Sequence, residues 1–278
     1  MPRRRVLTDT ELETLFALPT AEAVLAMHWT LSPAELSVIQ RRRRDHNRLG
    51  FALQLCALRY PGRLLRPGER IPGIALQHLA NQLDVPPDTF GVYAARFLTR
   101  YEQLDELRRA FGFIAMERAQ RRDLLAWLLP VALATTRAPA IVATLMNEMR
   151  RRQIIAPGPS VIERMVAAAV LLAERQIAAQ LTQGLTASQT EALEALLKTK
   201  EGTTISTLAW ARQAPGAPGH RALARLAAQL RCLRAIGLDP AHAEGVHPER
   251  LRQLSRMGGR FTAPHAMPST RCASQGAS

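Results

Sequence analysis

The chain has 278 residues, of which 47% are hydrophobic and 22% are charged, so it can bury a sizeable core and disorder throughout is excluded. Its 37 Lys and Arg residues outnumber 23 Asp and Glu residues, and the formal net charge of +14 favours a polyanionic partner. The longest apolar run, residues 124–134, is too short for a membrane span, and the widely spaced cysteines exclude a disulfide framework. We therefore expect a cytoplasmic chain with no membrane partner.

Helical periodicity runs through nearly the whole chain, and no alternating strand pattern of useful length interrupts it. Several helix starts carry a capping box, in which a Ser or Thr is followed three residues later by Glu or Gln. These boxes begin at Thr8, Ser32, Ser160 and Thr186. The sequence therefore predicts an all-α protein built from several helical bundles.

The first strongly basic segment lies between two predicted helices. A helix that begins at Pro33 is expected to end in four consecutive arginines, and Asp45 is expected to cap the next helix. In that next helix Asn47, Gly50 and Gln54 form a polar face that lets another group approach closely. The arginines suit phosphate and the amides suit adenine edges, although a solvated helix end and backbone hydrogen bonds explain the same residues. The predicted DNA contacts here are Arg41, Arg42, Arg43, Arg44, Asn47 and Arg48.

Residues 74–100 have the pattern of a helix-turn-helix unit. An apolar face over residues 74–83 is followed by a turn at residues 84–88, and Asp88 is placed to cap the second helix. The second helix carries a polar stripe next to its apolar face, as a recognition helix requires, although a solvated two-helix corner shows the same pattern. The predicted contacts on this stripe are Tyr93, Arg96 and Arg100.

Other arginines recur along the chain, and each group alone is typical of a solvated face. Arg121 and Arg122 are the predicted DNA contacts among them, since several such groups together can follow a duplex backbone. A break at residues 157–159 separates two helical regions. We expect an N-terminal DNA-binding domain with the helix-turn-helix unit over residues 1–113, linking helices over 114–157, a second helical DNA-binding domain over 158–263 and a disordered tail over 264–278.

Catalytic motifs are not found in the sequence. It has no glycine-rich phosphate loop and no Gly-x-Ser-x-Gly elbow, and its histidines and cysteines lack metal-ligand spacing. Three acidic ligands for two-metal strand transfer cannot be placed either, because the aspartates fall in predicted caps, turns and helix surfaces. The sequence therefore predicts no catalytic residue, no metal and no cofactor.

One long motif is similar to a known family. The segment RRRRDHNRLGFALQL, residues 41–55, resembles the signature near the start of Tn-three-family replicative transposases. Weaker matches follow along residues 5–265, among them Phe111-Gly112-Phe113, Ser160-x-x-Glu163-Arg164 and Leu208-Ala209-Trp210-Ala211-Arg212. The resemblance implies an N-terminal helical region that binds the terminal inverted repeats of a transposon as double-stranded DNA. It also implies that the Asp-Asp-Glu strand-transfer domain of the family lies outside this chain, so that the chain is not itself an enzyme.

Residues 265–278 depart from the family pattern, since they read HAMPSTRCASQGAS where relatives continue into a leucine-rich helix. This tail predicts a truncated or frameshifted reading frame. The alternative to DNA binding is a helical protein-interaction module, or an inhibitory truncated transposase, that pairs with full-length transposase or with itself. In the DNA-binding interpretation the chain is associated with a bacterial nucleoid in the cytoplasm.

Overall fold

A computed structural model describes residues 7–66, 68–94, 97–199, 204–214 and 216–258. The predicted disordered tail, residues 264–278, lies outside these ranges. The described residues contain fourteen α-helices and no β-strand beyond isolated bridges such as Ile114–Ile154. The predicted all-α class is therefore confirmed.

The α-helices follow one another with short connections. In chain order they are α1 (Asp9–Phe16), α2 (Glu22–His28), α3 (Pro33–Gln40), α4 (Asp45–Arg59), α5 (Gly73–Leu83), α6 (Phe90–Ala94), α7 (Phe97–Phe111), α8 (Arg118–Ala134), α9 (Ala138–Arg151), α10 (Pro159–Thr182), α11 (Ala187–Leu197), α12 (Thr207–Ala211), α13 (His220–Arg234) and α14 (Pro248–Gly258). Short 3-10 helices cover Pro87–Thr89 and Pro240–Ala243.

Three of the four predicted capping boxes are present. The side-chain oxygens of Thr8, Ser32 and Thr186 each accept a hydrogen bond from the amide three residues later. Each satisfies one of the unpaired amides at a helix start, which stabilises the helix by about 1 kcal/mol. The fourth prediction differs from the structure because α10 begins at Pro159, which places Ser160 inside the first turn. Proline at that position has no amide hydrogen that would need a partner.

The chain divides into two compact units, Met1–Ala173 and Glu174–Ser278. The division falls inside α10, later than the predicted boundary before residue 158. Residues 114–157, expected to link two domains, supply α8 and α9 and bury Leu124, Leu145 and Met149 in the same cluster as Phe16. This segment thus contributes to the core of the first unit. DNA binding by residues 158–263 stays a prediction.

Helix α4 is the centre of the first unit. Its residues from Leu49 to Leu58 are all buried, and it packs against α3, α5, α6 and α7. Polar groups fasten the surrounding helices: the indole of Trp29 donates to the carbonyl of Tyr60 over 3.0 Å, and the Gln82 amide bonds both Leu31 N at 2.8 Å and Trp29 O at 3.1 Å. Each such bond contributes about 1 kcal/mol and fixes which faces meet.

The second unit has a much smaller apolar core. Ile177, Leu196, Ile236 and Val246 are its buried aliphatic residues among those described. Polar side chains also hold its segments together. Gln180 donates a hydrogen bond to the carbonyl of Glu244 and Gln189 to that of Gly237, each over 2.7 Å. Helix α12 packs between α11 and α13.

Candidate nucleic-acid interface

The four arginines predicted to contact phosphate form the connection between α3 and α4. We call Arg41, Arg42, Arg43 and Arg44 the arginine turn. The sequence predicted that Asp45 caps the following helix, but Asp45 is its first residue and Arg44 takes the cap position without a side-chain hydrogen bond. The start of α4 therefore lacks the side-chain cap that usually satisfies its amides, and its positive dipole end lies beside positive side chains.

Two arginines hold this turn in place. The guanidinium carbon of Arg42 lies 4.3 Å from the ring centroid of Phe51, and the same group forms an ion pair with Glu106 on α7. Arg48 donates from Nε to the carbonyl of Arg42 over 2.9 Å and from Nη1 to Asp45 over 3.2 Å. The partners of Arg42 and Arg48 thus lie inside the protein, and both side chains are half-buried. Their geometry supports a positioning role.

The other three arginines of the turn are exposed. Arg41, Arg43 and Arg44 point into solvent, and none makes an ion pair or side-chain hydrogen bond with another described residue. Three unpaired guanidinium groups on a short, anchored segment at the N-terminus of a helix produce a local positive potential. Such a surface suits phosphate oxygens, which both guanidinium groups and helix N-termini bind.

A second exposed basic surface lies at the start of α8. Arg121 and Arg122 are exposed, as is Arg118 at the first position of the helix. Residues three and four apart share a face, so Arg118, Arg121 and Arg122 lie together on the surface of α8. Further along the helix, Leu124 and Leu128 are buried. This arrangement also places positive charge at a helix end where an anion is stabilised.

The helix-turn-helix prediction agrees with the structure at the turn. Helix α5 ends at Leu83, and Asp84 adopts the left-handed conformation with φ 53°. A 3-10 helix over Pro87–Thr89 leads into α6, and α7 begins at Phe97, after residues 95 and 96, which lie outside the described ranges. Arg96 lies outside the described residues, as does the side chain of Arg100, so their predicted contacts stay predictions.

Tyr93 does not belong to an exposed stripe, which corrects its predicted DNA contact. Its side chain is buried, and its ring lies directly over Gly50, where an added Cβ atom would overlap ring carbons. The hydroxyl of Tyr93 accepts a hydrogen bond from Gln54 and donates to Gln103 Oε1 over 2.9 Å. The group that approaches the Asn47–Gly50–Gln54 face is therefore the ring of this tyrosine. Its ring gains stability from burial, and its hydroxyl finds hydrogen-bond partners inside the protein.

Asn47 borders the same internal contact. Its side chain is half-buried, and its Oδ1 atom is shielded from solvent without a hydrogen-bond partner among the described residues. A bidentate contact with adenine requires both the oxygen and the nitrogen of the amide. In this arrangement the oxygen does not face the solvent, so base reading by Asn47 stays a prediction that needs a change of side-chain position.

The structure adds residues that sequence patterns did not single out. Glu106 holds Arg42 from another helix, and no motif in the sequence links the two positions.

Among the described residues no cluster of three His, Cys, Asp or Glu side chains is arranged to hold a metal ion. In the same ranges no helix is both long enough and apolar enough to cross a membrane.

Comparison with known proteins defines the class. Residues 6–169 match the family model described as "Domain of unknown function (DUF4158)", and because this is more than half of the chain, the protein belongs to that family. The matched range agrees closely with the first compact unit, Met1–Ala173. The arginine turn, α4 and the start of α8 therefore all belong to the family domain.

Several relatives are transposases. The chain is 38% identical to the transposase for transposon Tn3926 from Escherichia coli and 35% identical to that for Tn501 from Pseudomonas aeruginosa, in each case over 94% of this chain and 26% of the relative. It is 30% identical to the transposase for Tn1546 from Enterococcus faecium, over 93% of this chain. The resemblance to transposases expected from the sequence is confirmed. The chain spans about a quarter of the length of these relatives, 26% in each case.

Proposed function

We propose that this chain binds double-stranded DNA at the terminal inverted repeats of a transposon, and that the arginine turn contacts the phosphate backbone. The observation that carries the proposal is that the arginines in and next to the turn differ in their contacts. Arg42 and Arg48 are fixed by internal partners, while Arg41, Arg43 and Arg44 remain exposed. Because the backbone is already held, little conformational freedom is lost when phosphate binds.

The similarity to transposases supports transposon DNA as the ligand in preference to other polyanions. In this proposal phosphate contacts position the protein, and sequence is read by side chains that reach the bases. Arg118, Arg121 and Arg122 on α8 supply a second set of phosphate contacts. The proposal also places the chain at the bacterial nucleoid, where such DNA is found.

We further propose that this chain supplies end recognition and that strand transfer requires other residues. The chain aligns with 26% of the length of its transposase relatives, which supports this division of roles. Supercoiled plasmid carrying the transposon ends, incubated with the chain and Mg²⁺, is expected to stay uncut. Specific nicking at the ends would overturn this part of the proposal.

The phosphate contacts are tested by the salt dependence of binding. Fluorescence anisotropy compares a labelled terminal-repeat duplex with a shuffled duplex across a salt series. Replacing Arg41, Arg43 and Arg44 by Ala removes three phosphate contacts, so the slope of log K against log salt should become shallower by about 3, at roughly 0.9 per contact.

A matched control separates these contacts from net charge. Replacing Arg70, Arg137 and Arg164 by Ala removes the same charge from exposed sites elsewhere in the first unit. We expect the control to keep the slope of the unmodified chain and its preference for the repeat. If both triple variants lose the same slope, the basic charge acts without a defined site and the arginine turn is not the contact surface.

A further inference from the structure

Helix α13 exposes a row of leucines to solvent. Leu223, Leu226, Leu230 and Leu233 are 67%, 39%, 44% and 40% exposed, respectively. Their spacing of three, four and three residues places them on one face of the helix. It is the a and d spacing of a helix that pairs with another helix. A row of this kind on the outside of a folded unit marks an interaction surface, because isolated exposed leucines are scattered and not aligned.

The helix is held to its own unit by a different and more polar face. Its less exposed positions are Ala222, Arg225, Ala228, Gln229 and Cys232, of which all but Ala228 repeat the three–four–three spacing. The buried Gln229 amide donates to the carbonyls of Trp210 at 2.9 Å and Gln213 at 3.0 Å, and Arg225 bonds the Gln213 side chain. These specific bonds fix the orientation of α13 and leave its most apolar face outside.

The rest of the second unit strengthens this conclusion. Its described residues bury four aliphatic side chains but leave seven leucines exposed, four of them in the row on α13. A helix free to rotate would bury leucine in preference to arginine and glutamine, since each buried leucine stabilises a fold by about 2 kcal/mol. The observed orientation therefore leaves the leucine row exposed and available for contact with a binding partner.

The charge next to the row indicates the chemistry of that partner. Helix α13 contains no acidic residue. Ala227, Arg231 and Arg234 form the adjacent row, and Arg231 and Arg234 are exposed with no acidic partner among the described residues. A partner helix that lies on the leucines is brought alongside these two cations, so acidic residues at its edge are favoured.

A second copy of the chain does not fit this surface. Pairing of two copies through their leucine rows would bring Arg231 and Arg234 of both α13 helices together, with no acidic residue on either helix to offset them. Charge therefore disfavours self-association through this face.

We propose that the leucine row of α13 is a docking site for an acidic amphipathic helix of another protein, with leucines in its seam and carboxylates along its edge. The inference does not depend on DNA binding by the arginine turn, which lies in the other unit. It gives the protein-interaction alternative a definite surface.

The test uses two labelled helical peptides of three heptads, each with leucine at a and d. One carries glutamate at e and g, which disfavours its own pairing, and the other carries lysine at those positions. Fluorescence anisotropy with the whole chain at low salt should show at least tenfold tighter binding of the glutamate peptide. Equal binding of the two peptides, or no binding of either, would overturn the proposal.

Variants locate the contact. Leu226→Gln with Leu230→Gln should weaken the glutamate peptide at least tenfold, while Leu197→Gln, at a 59% exposed position on α11, should leave it unchanged. Arg231→Glu with Arg234→Glu should reverse the preference in favour of the lysine peptide. All these sites are on the surface, so circular dichroism should show an unchanged helical fold.

Two further measurements distinguish other occupants. Sedimentation velocity that shows a dimer, lost in the Leu226→Gln, Leu230→Gln variant, would identify a second copy as the occupant and overturn the proposal. Binding to phosphatidylcholine–phosphatidylglycerol vesicles that depends on the same leucines, without binding of the glutamate peptide, would identify a membrane surface and overturn it equally. A monomer that binds the glutamate peptide and ignores vesicles supports it.

Discussion

The contact between Gly50 and Tyr93 allows a sharp test of how the signature segment works. Gly50→Ala adds one methyl group in the middle of α4, directly against the ring of Tyr93. The ring cannot remain in place, because three of its carbons lie closer to the new Cβ atom than any normal contact permits. Its hydroxyl bonds to Gln54 and Gln103, both of which are buried, so displacement of the ring also breaks these bonds.

The expected cost combines three contributions. Overpacking of a core costs about 1–3 kcal/mol, and two lost buried hydrogen bonds cost about 1 kcal/mol each. Alanine is better than glycine inside a helix by about 1 kcal/mol, which opposes these losses. The free energy of unfolding should therefore fall by about 2–4 kcal/mol. For a domain of this size the melting temperature should fall by about 5–15 °C.

Urea and thermal unfolding, followed by circular dichroism, measure this change. Gly91→Ala is the matched control, since Gly91 lies in α6 with nothing within 4 Å of an added Cβ atom. It should leave stability unchanged or raise it slightly. Tyr93→Leu should partly rescue Gly50→Ala, so that the double variant is more stable than the sum of the two single changes predicts. If Gly50→Ala is as stable as Gly91→Ala, the packing argument is wrong.

Two other predictions concern the arginines. Arg42→Ala should lower the free energy of unfolding by about 1–2 kcal/mol because it removes the aromatic and ionic contacts of that side chain, whereas Arg43→Ala should leave thermal stability unchanged. In α9 the Arg151 guanidinium lowers the pKa of Glu148 to about 2 through a hydrogen bond, against the effect of burial, and Arg152 adds to the lowering. The stability from Glu148 should therefore be present above about pH 4.5 and be lost as the pH falls towards 2. In denaturant titrations from pH 7 to pH 2 the difference between the unmodified chain and Glu148→Gln should shrink, and a constant difference would contradict this assignment.

Much of the fold could be predicted from the sequence because local signals and core periodicity agree. The capping boxes at Thr8, Ser32 and Thr186 fix helix starts through hydrogen bonds within four residues, which a sequence shows directly. The break expected at residues 157–159 lies between α9, which ends at Arg151, and α10, which begins at Pro159. Each of these features depends on neighbours along the chain.

The candidate site was harder to predict because its key contacts join distant residues. The polar face of Asn47, Gly50 and Gln54 was correctly read as a place of close approach, but sequence spacing does not tell whether the approaching group is a base or a tyrosine. The leucine row of α13 has the spacing of an ordinary core stripe. The exposure of these leucines and the bonds of Gln229, which hold another face of the helix against its own unit, show that this stripe faces outward.

The contacts of Arg42 also bear on why this chain uses arginine so heavily in place of lysine. A planar guanidinium can stack on Phe51 and pair with Glu106 at once, and a lysine ammonium at that position could not do both well. At Arg43 and Arg44, whose side chains have no partner among the described residues, the fold of the turn would tolerate lysine nearly as well. Exchange of arginine for lysine should therefore be tolerated at Arg43 and Arg44 and should destabilise the protein at Arg42. Neighbouring arginines in one run are thus under quite different chemical constraints.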